Sequence, residues 1–253
     1  MSRISSRTVG LVLGALLVAA PASAQVVHSL NLGGGAFFPR GEDTRAEGDV
    51  LLANLTNRGT VPGMDDSLLF FVKDFRSGQF TGEWTIGFGS HVEVAAGVGF
   101  YNRKVPSIYR DFVFRDPDTG ERREIAQDLR LRVVPLTAVA RFLLGRPGNV
   151  QPYVGAGVGL FNYRYSEIGE FLDTSNPDDV VLFDERYIAK GNAPGALLLG
   201  GIRFPLGGDI YGLNLEYRYQ FAKGDTGGAD VGFLGDKIDM SGGNLTFSFM
   251  IRF

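Results

Sequence analysis

The chain has 253 residues, 36 of them Gly, 11 Pro and none Cys, which excludes a small domain stapled by disulfides. Acidic residues outnumber basic ones, 28 to 25, so nucleic acid is not an expected partner. Abundant Gly beside 20 Phe, 9 Tyr and the single Trp84 favours an all-β chain rich in turns.

At the N-terminus Arg3 and Arg7 precede an apolar run over 9–20 that ends at Pro21 and the small residues Ala22, Ser23 and Ala24. That order predicts a secretory leader over 1–24, cleaved between Ala24 and Gln25. The run is little more than half the roughly 20 apolar residues that a membrane-spanning helix needs. No Cys adjoins the cleavage point, so no lipid-modified N-terminus is expected. Loss of Arg3 and Arg7 gives the mature chain, 25–253, a net charge of −5.

Beyond the leader no segment is long and apolar enough for a spanning helix, whereas a period of two recurs. Residues 26–38 set Leu30, Leu32, Ala36 and Phe38 against Asn31, Gly33 and Gly35. Residues 79–88 set Phe80, Trp84, Ile86 and Phe88 against Thr81, Glu83 and Thr85. The third strand, 91–103, sets Val92, Val94, Ala96, Val98 and Phe100 against Glu93, Ala95, Gly97, Gly99 and Tyr101. In the fourth, 128–144, Arg130 and Arg132 define a polar face before Pro135, while Thr137 and Arg141 imply the opposite parity after it. A β-bulge near Pro135 is therefore expected. The fifth, 150–165, opposes Val154, Ala156, Val158 and Leu160 to Gly155, Gly157 and Gly159. The sixth, 188–204, is interrupted by Pro194 and places Leu197 and Leu199 on the same face as Arg203. The seventh and eighth, 211–221 and 244–253, alternate without a break.

Short connections at 89–90, 145–149 and 205–209 alternate with long ones at 39–78, 104–127, 166–187 and 222–242. This order predicts an eight-stranded antiparallel up-and-down transmembrane β-barrel with tight periplasmic turns and long outer loops. A soluble barrel shows the same period with its faces reversed. Three features favour the membrane: a Gly-rich polar face suited to a narrow lumen, strands of ten or more residues, and aromatics Phe88, Phe142, Phe204, Tyr211 and Phe253 beside the short turns.

The closing stretch Asn244-Leu-Thr-Phe-Ser-Phe-Met-Ile-Arg-Phe253 resembles the last strand of bacterial outer-membrane barrels. Gln151-Pro-Tyr-Val-Gly-Ala-Gly-Val-Gly159 is similar to a segment of the outer-membrane β-barrel domain family, which includes small barrels of the OmpA, OmpX and OmpW type. The resemblance implies location in the bacterial outer membrane, contact with its lipid and lipopolysaccharide, and Phe253 as part of the signal read by the barrel-insertion machinery. It brings no catalytic residue.

Some barrels of this size resemble lipid A deacylases or palmitoyltransferases, which need a nucleophile with a base in reach near the outer rim. The only histidines, His28 and His91, fall at the periplasmic end, with Ser29 and Ser90 beside them. They read as interfacial side chains. The outer loops carry acids, Glu42, Asp43, Glu47, Asp49, Asp65 and Asp66 in the first and Asp225, Asp230, Asp236 and Asp239 in the fourth, without the spacing of a calcium loop. They read as solvated groups, and neither cofactor nor metal is expected. Residues 67–75 are apolar enough to cover the barrel mouth or to lengthen the second strand. The polar face carries Glu83, Glu93 and Glu216 with Arg130, Arg132, Arg141, Arg203, Arg218 and Arg252, expected as a charge network filling the lumen. The leading functional expectation is a non-enzymatic outer-membrane protein displaying four loops. A narrow channel for small or apolar solutes comes second, and an enzyme of lipid A modification third.

Overall fold

The computed structural model describes residues 26–58, 65–115, 119–174, 176, 180–207 and 210–253. The leader 1–24 and its cleavage point between Ala24 and Gln25 lie outside the described residues. Eight strands form the wall: β1 Val26–Pro39, β2 Ser77–Phe88, β3 Val92–Arg115, β4 Arg122–Leu143, β5 Gln151–Asp173, β6 Val181–Leu206, β7 Tyr211–Asp225 and β8 Gly242–Arg252. Each pairs antiparallel with its neighbour in sequence, and β8 closes the ring on β1 from Ser29↔Arg252 to Pro39↔Gly242. The backbone bond from Phe253 N to His28 O, 2.9 Å, continues the seam to the last residue. Closure leaves no free edge over the shared height, the condition for strands to cross a lipid phase.

The outer surface is apolar. Leu32, Phe80, Trp84, Val98, Val158, Leu198, Leu215 and Phe247 are exposed, whereas Glu83, Glu93 and Glu216 are buried within. Polar groups inside and aliphatic groups outside is the arrangement of a membrane barrel and the inverse of a soluble one. Phe142, Phe204, Tyr211 and Phe253 are exposed near the short turns and Phe88 is half-buried. A second set, Phe38, Phe80, Phe100 and Phe221, is exposed at the opposite end of the apolar band.

The strands are of two heights. β1, β2, β7 and β8 have 14, 12, 15 and 11 residues, while β3 to β6 have 24, 22, 23 and 26. A tilted crossing takes about 9 to 11 residues, so half of each tall strand stands clear of the membrane as a curved wall. The second and third outer connections are correspondingly shorter than expected, falling at 116–121 and 174–180 rather than 104–127 and 166–187.

No bulge occurs at Pro135. The β4–β5 register runs unshifted through Pro135↔Phe161, and the β3–β4 register is the same on either side, at Val98↔Leu136 and Tyr101↔Val133. The one shift in that pair lies higher, between Ile108 and Val113. The proline ring is accommodated by Gly99, where an added Cβ would lie 2.9 Å from Pro135 Cγ. Odd-numbered residues of β4 face inward throughout: Leu129, Leu131 and Val133 above, Val139, Arg141 and Leu143 below. What reverses at Pro135 is the medium. Above it the outside is polar and the inside is an apolar core, so Arg130 and Arg132 point outward and are exposed.

That upper core is filled by the first and fourth outer loops. The first holds helix α1, Val50–Thr56, a two-residue strand Leu68–Leu69 on β3, and a 3-10 turn Val72–Phe75. Residues 67–75 thus cover the mouth and pair with β3, and they do not lengthen β2. The fourth holds a 3-10 turn and the strand Lys237–Asp239, paired with the top of β7. Val50, Leu51, Phe75, Phe233, Ile238 and Met240 from the loops pack with Leu129, Phe161 and Tyr165 from the wall, all nearly inaccessible.

Candidate functional site

The interior has two storeys. In the lower one, strand alternation aims every second side chain inward, and on β2, β3, β4, β6 and β7 these include Glu83, Glu93, Arg141, Arg203, Glu216 and Arg218. Arg141 of β4 reaches Glu83 of β2 at 2.5 Å and Glu216 of β7 at 2.8 Å. Arg218 of β7 reaches the other oxygen of each, Glu83 Oε2 at 3.0 Å and Glu216 Oε1 at 2.6 Å. Two guanidinium and two carboxylate groups so form a closed ring, and Tyr153 donates to Glu216 at 3.2 Å. Gly201 provides space for that tyrosine, since a Cβ there would come within 2.5 Å of its ring.

Toward the periplasmic end, Arg203 makes a two-pronged bond with Glu93, at 2.6 and 2.8 Å, and its Nε donates to Asn214 at 3.1 Å. Asn214 donates to Asn31 at 2.8 Å and Asn31 to Thr85 at 2.9 Å, spanning the bore. Three arginines and three glutamates cancel in charge. Desolvated ions are tolerated only when each finds such partners, and the forked geometry suits Arg rather than Lys. The cavity left among these side chains is about 50 Å³, room for little more than a water or two. Below it a vestibule of about 580 Å³ opens toward the periplasm between Glu93, Gln151, Arg252 and Phe253.

Of the nine charges expected in the lumen, Glu83, Glu93, Glu216, Arg141, Arg203 and Arg218 are brought together, and Arg252 lines the vestibule. Arg130 and Arg132 are corrected to the outer surface, where Arg130 donates to Asn102 at 3.0 Å. Tyr153, Asn31 and Asn214 were missed as members. They lay on the polar faces, but being uncharged they gave no pairing signal.

The upper storey is clamped by Arg45, Asp49 and Asp239. Arg45 Nε donates to Asp49 at 2.5 Å and Nη2 to the Asp239 carbonyl at 2.7 Å, while Asp239 N donates to Asp49 at 2.7 Å. Asp49 also caps α1 through Leu52 N at 3.2 Å. Gly235 allows the two loops to meet, since a Cβ there would sit 2.5 Å from Val50 N. Asp49, Asp66 and Asp239 are therefore buried, not solvated as expected, whereas Glu42, Asp43, Glu47, Asp225, Asp230 and Asp236 are exposed. The i,i+4 spacing of Arg45 and Asp49 was visible in the sequence, but their partner 190 residues away was not.

Glu167 of β5 is also buried in this storey. Its Oε1 accepts from Asn54 of α1 at 2.6 Å and from Tyr165 at 2.8 Å. Burial pushes its carboxyl up to about 7, against the two donors that favour the charged form. Above Gly195↔Ala222 the pairing of β6 with β7 ends, and a side cavity of about 650 Å³ opens there, bordered by Tyr163, Pro194, Lys223 and Val231.

The histidines sit at the periplasmic end. His28 accepts from Trp84 Nε1 at 3.3 Å and stacks on Phe253, while His91 lies 2.6 Å from Ser90 Oγ and stacks on Phe142. Among the described residues no carboxylate supports either ring, and no group of acidic or histidine residues is placed to hold a metal ion.

No family model and no curated protein matches the chain. Among solved structures it is similar to outer membrane protein OprG from Pseudomonas aeruginosa, at 12% identity over 91% of this chain and 97% of that one, TM-score 0.49. It is similar to Ail, the attachment invasion locus protein of Yersinia pestis, in complex with the heparin analogue sucrose octasulfate, at 13% identity over 90% and 99%, TM-score 0.41. It is also similar to Outer Membrane Protein W of E. coli, at 17% identity over 90% and 98%, TM-score 0.36. None is close enough to carry a residue role or a ligand over, and the barrel fold rests on the closed ring itself.

Proposed function

We propose that this chain is a non-enzymatic protein of the bacterial outer membrane that acts through its outer surface and passes no ions. The leader over 1–24 would export it, and Phe253, at the end of β8, would serve the insertion machinery. The observation that carries this reading is the double closure of the bore: a neutral ring of paired arginines and glutamates below, and an apolar plug clamped by Arg45, Asp49 and Asp239 above. A pore needs a continuous polar path, whereas here the lower ions pair with one another and the upper interior is mainly apolar, its few buried polar groups held in local contacts such as the Asp49 clamp. What it keeps rigid is the outer end, where four tall strands and two packed loops present a fixed surface. The histidines support the non-enzymatic part, since both are far from the outer rim and, among the described residues, neither has an acid behind it.

The side cavity between β6 and β7 favours a second reading, in which an apolar solute leaves or enters through the wall above the membrane. One preparation separates the two. Purified protein reconstituted into vesicles and planar bilayers is expected to give no steady ion conductance and no accelerated uptake of an apolar tracer. Reproducible conductance would overturn the closed-bore reading, and tracer uptake without conductance would put the side route first.

A further inference from the structure

On the outer face, directly above the apolar band, three cations stand side by side. Arg132 of β4 is registered against Arg164 of β5, and Arg164 against Lys190 of β6. Arg132 and Lys190 are exposed and Arg164 half-buried. Directly opposed residues on neighbouring strands have Cβ atoms about 4.5 to 5.5 Å apart, and like charges so placed destabilise a sheet. Among the described residues no carboxylate forms an ion pair with any of the three. The chain does neutralise cations elsewhere on the same wall. Lys104, one step higher on β3, pairs with Asp128 at 2.7 Å, while Arg130, registered against Lys104, donates to Asn102 at 3.0 Å. Among the described strands, three cations in adjacent registered positions occur at this level only.

That level is set by the residues beneath. The continuous run of apolar outward side chains ends at Val134 on β4, Leu160 on β5 and Pro194 on β6, with Ile188 the one exposed apolar side chain just above Lys190 on β6. The row stands two to four residues above them, about 7 to 13 Å along a strand. With strands tilted about 45°, that is about 5 to 9 Å along the membrane normal, comparable with the roughly 5 to 8 Å of headgroup region on each side of the hydrocarbon core. This is where a bilayer places its headgroup phosphates.

We infer that Arg132, Arg164 and Lys190 form a binding site for the phosphate groups of outer-leaflet lipid, the phosphorylated saccharide headgroup of lipid A being the matching class. The inference rests on the outer-membrane reading above. Two or more phosphates spread over three cations relieve the repulsion that the fold itself leaves in place, and guanidinium groups bind phosphate oxygens in pairs. Lys190 borders the side cavity, whose rim also carries Lys223, so a bound headgroup would lie against that opening.

The test uses the full mature chain refolded in zwitterionic vesicles, with lipid A, dephosphorylated lipid A or a soluble sulfated polysaccharide added. Lipid retained on the barrel is measured by native mass spectrometry. The unmodified protein is expected to retain lipid A and to lose it when the phosphates are removed. The triple variant Arg132→Gln, Arg164→Gln, Lys190→Gln is expected to bind about a hundredfold more weakly, from the contribution of three cations at an anionic surface. Retention by the triple variant equal to that of the unmodified protein overturns the site. So does indifference to the phosphates, preference for the polysaccharide, or full displacement by inorganic phosphate. Heat-dependent migration on a denaturing gel is followed in parallel. Its loss in the unmodified protein indicts the barrel reading, and its survival with unchanged retention indicts this site alone.

Discussion

The two storeys of the barrel are built from the same strands and solve opposite problems. Below Pro135 the outside is lipid, so β4 and β5 turn Ala138, Phe142, Val154 and Val158 outward and enclose ions that neutralise one another. Above it the outside is polar, first lipid headgroups and then water, so the same strands turn Arg130, Arg132 and Arg164 outward and enclose Leu129, Leu131, Phe161 and Tyr165 around the loop residues. One backbone period serves both because inward and outward are fixed by geometry, while the residue type each face wants is fixed by the solvent it meets. The lower storey depends on pairs that are specific and fail when one partner is lost. The upper one depends on burial shared among many side chains and on one polar clamp.

The sharpest way to break the comparison is in the ring of charges. Glu216→Ala leaves Arg141 and Arg218 with Glu83 alone, and uncompensated buried charge costs about 3 to 5 kcal/mol, less whatever lumen water restores. Thermal unfolding of the purified barrel is expected to drop well below that of Asp230→Ala, an exposed loop change worth within about 0.5 kcal/mol. Equal midpoints for the two variants would show that the lumen ions are solvated.

A smaller and more local effect is expected from the clamp. Asp49→Ala removes the α1 cap and the acceptor shared by Arg45 and Asp239 N. The loss is on the order of 3 kcal/mol, and it falls on the plug rather than the wall. Limited proteolysis is expected to cut within 40–58 in the variant and not in the parent, while both retain heat-dependent migration. Loss of that migration in the variant would mean that the plug and the lower barrel fold as one unit.

The smallest expected effect depends on pH. The Glu167 carboxyl is raised in the folded protein from an ordinary value of 4.5 to about 7. The proton therefore binds more tightly in the folded state, and the stability it adds is fully present below about pH 4.5 and is lost as pH rises through about 7. Hydrogen exchange in α1, whose Asn54 donates to Glu167, is expected to quicken from pH 5 to pH 8 after correction for intrinsic rates. Glu167→Gln should flatten that profile, and an unchanged profile in the variant would assign the dependence to another group.

The alternation of long, apolar-faced segments with alternately short and long connections determined the strand count, order and direction, because a period of two leaves a chain no other way to bury one face and pair its edges. It also marked Glu83, Glu93, Glu216, Arg141, Arg203 and Arg218 as one polar face. Sequence could not tell that Arg130 and Arg132 belong to the other face, since a switch of polar parity at Pro135 looks the same whether the backbone bulges or, as here, the solvent changes along a regular strand. Nor could it show that Arg45, Asp49 and Asp239 meet, or that Arg132, Arg164 and Lys190 form a row. Contacts between positions so far apart in the chain depend on strand register and on how far each strand rises above the membrane. Only the closed ring, with its four tall strands and the two loops packed into the space they leave, decides those.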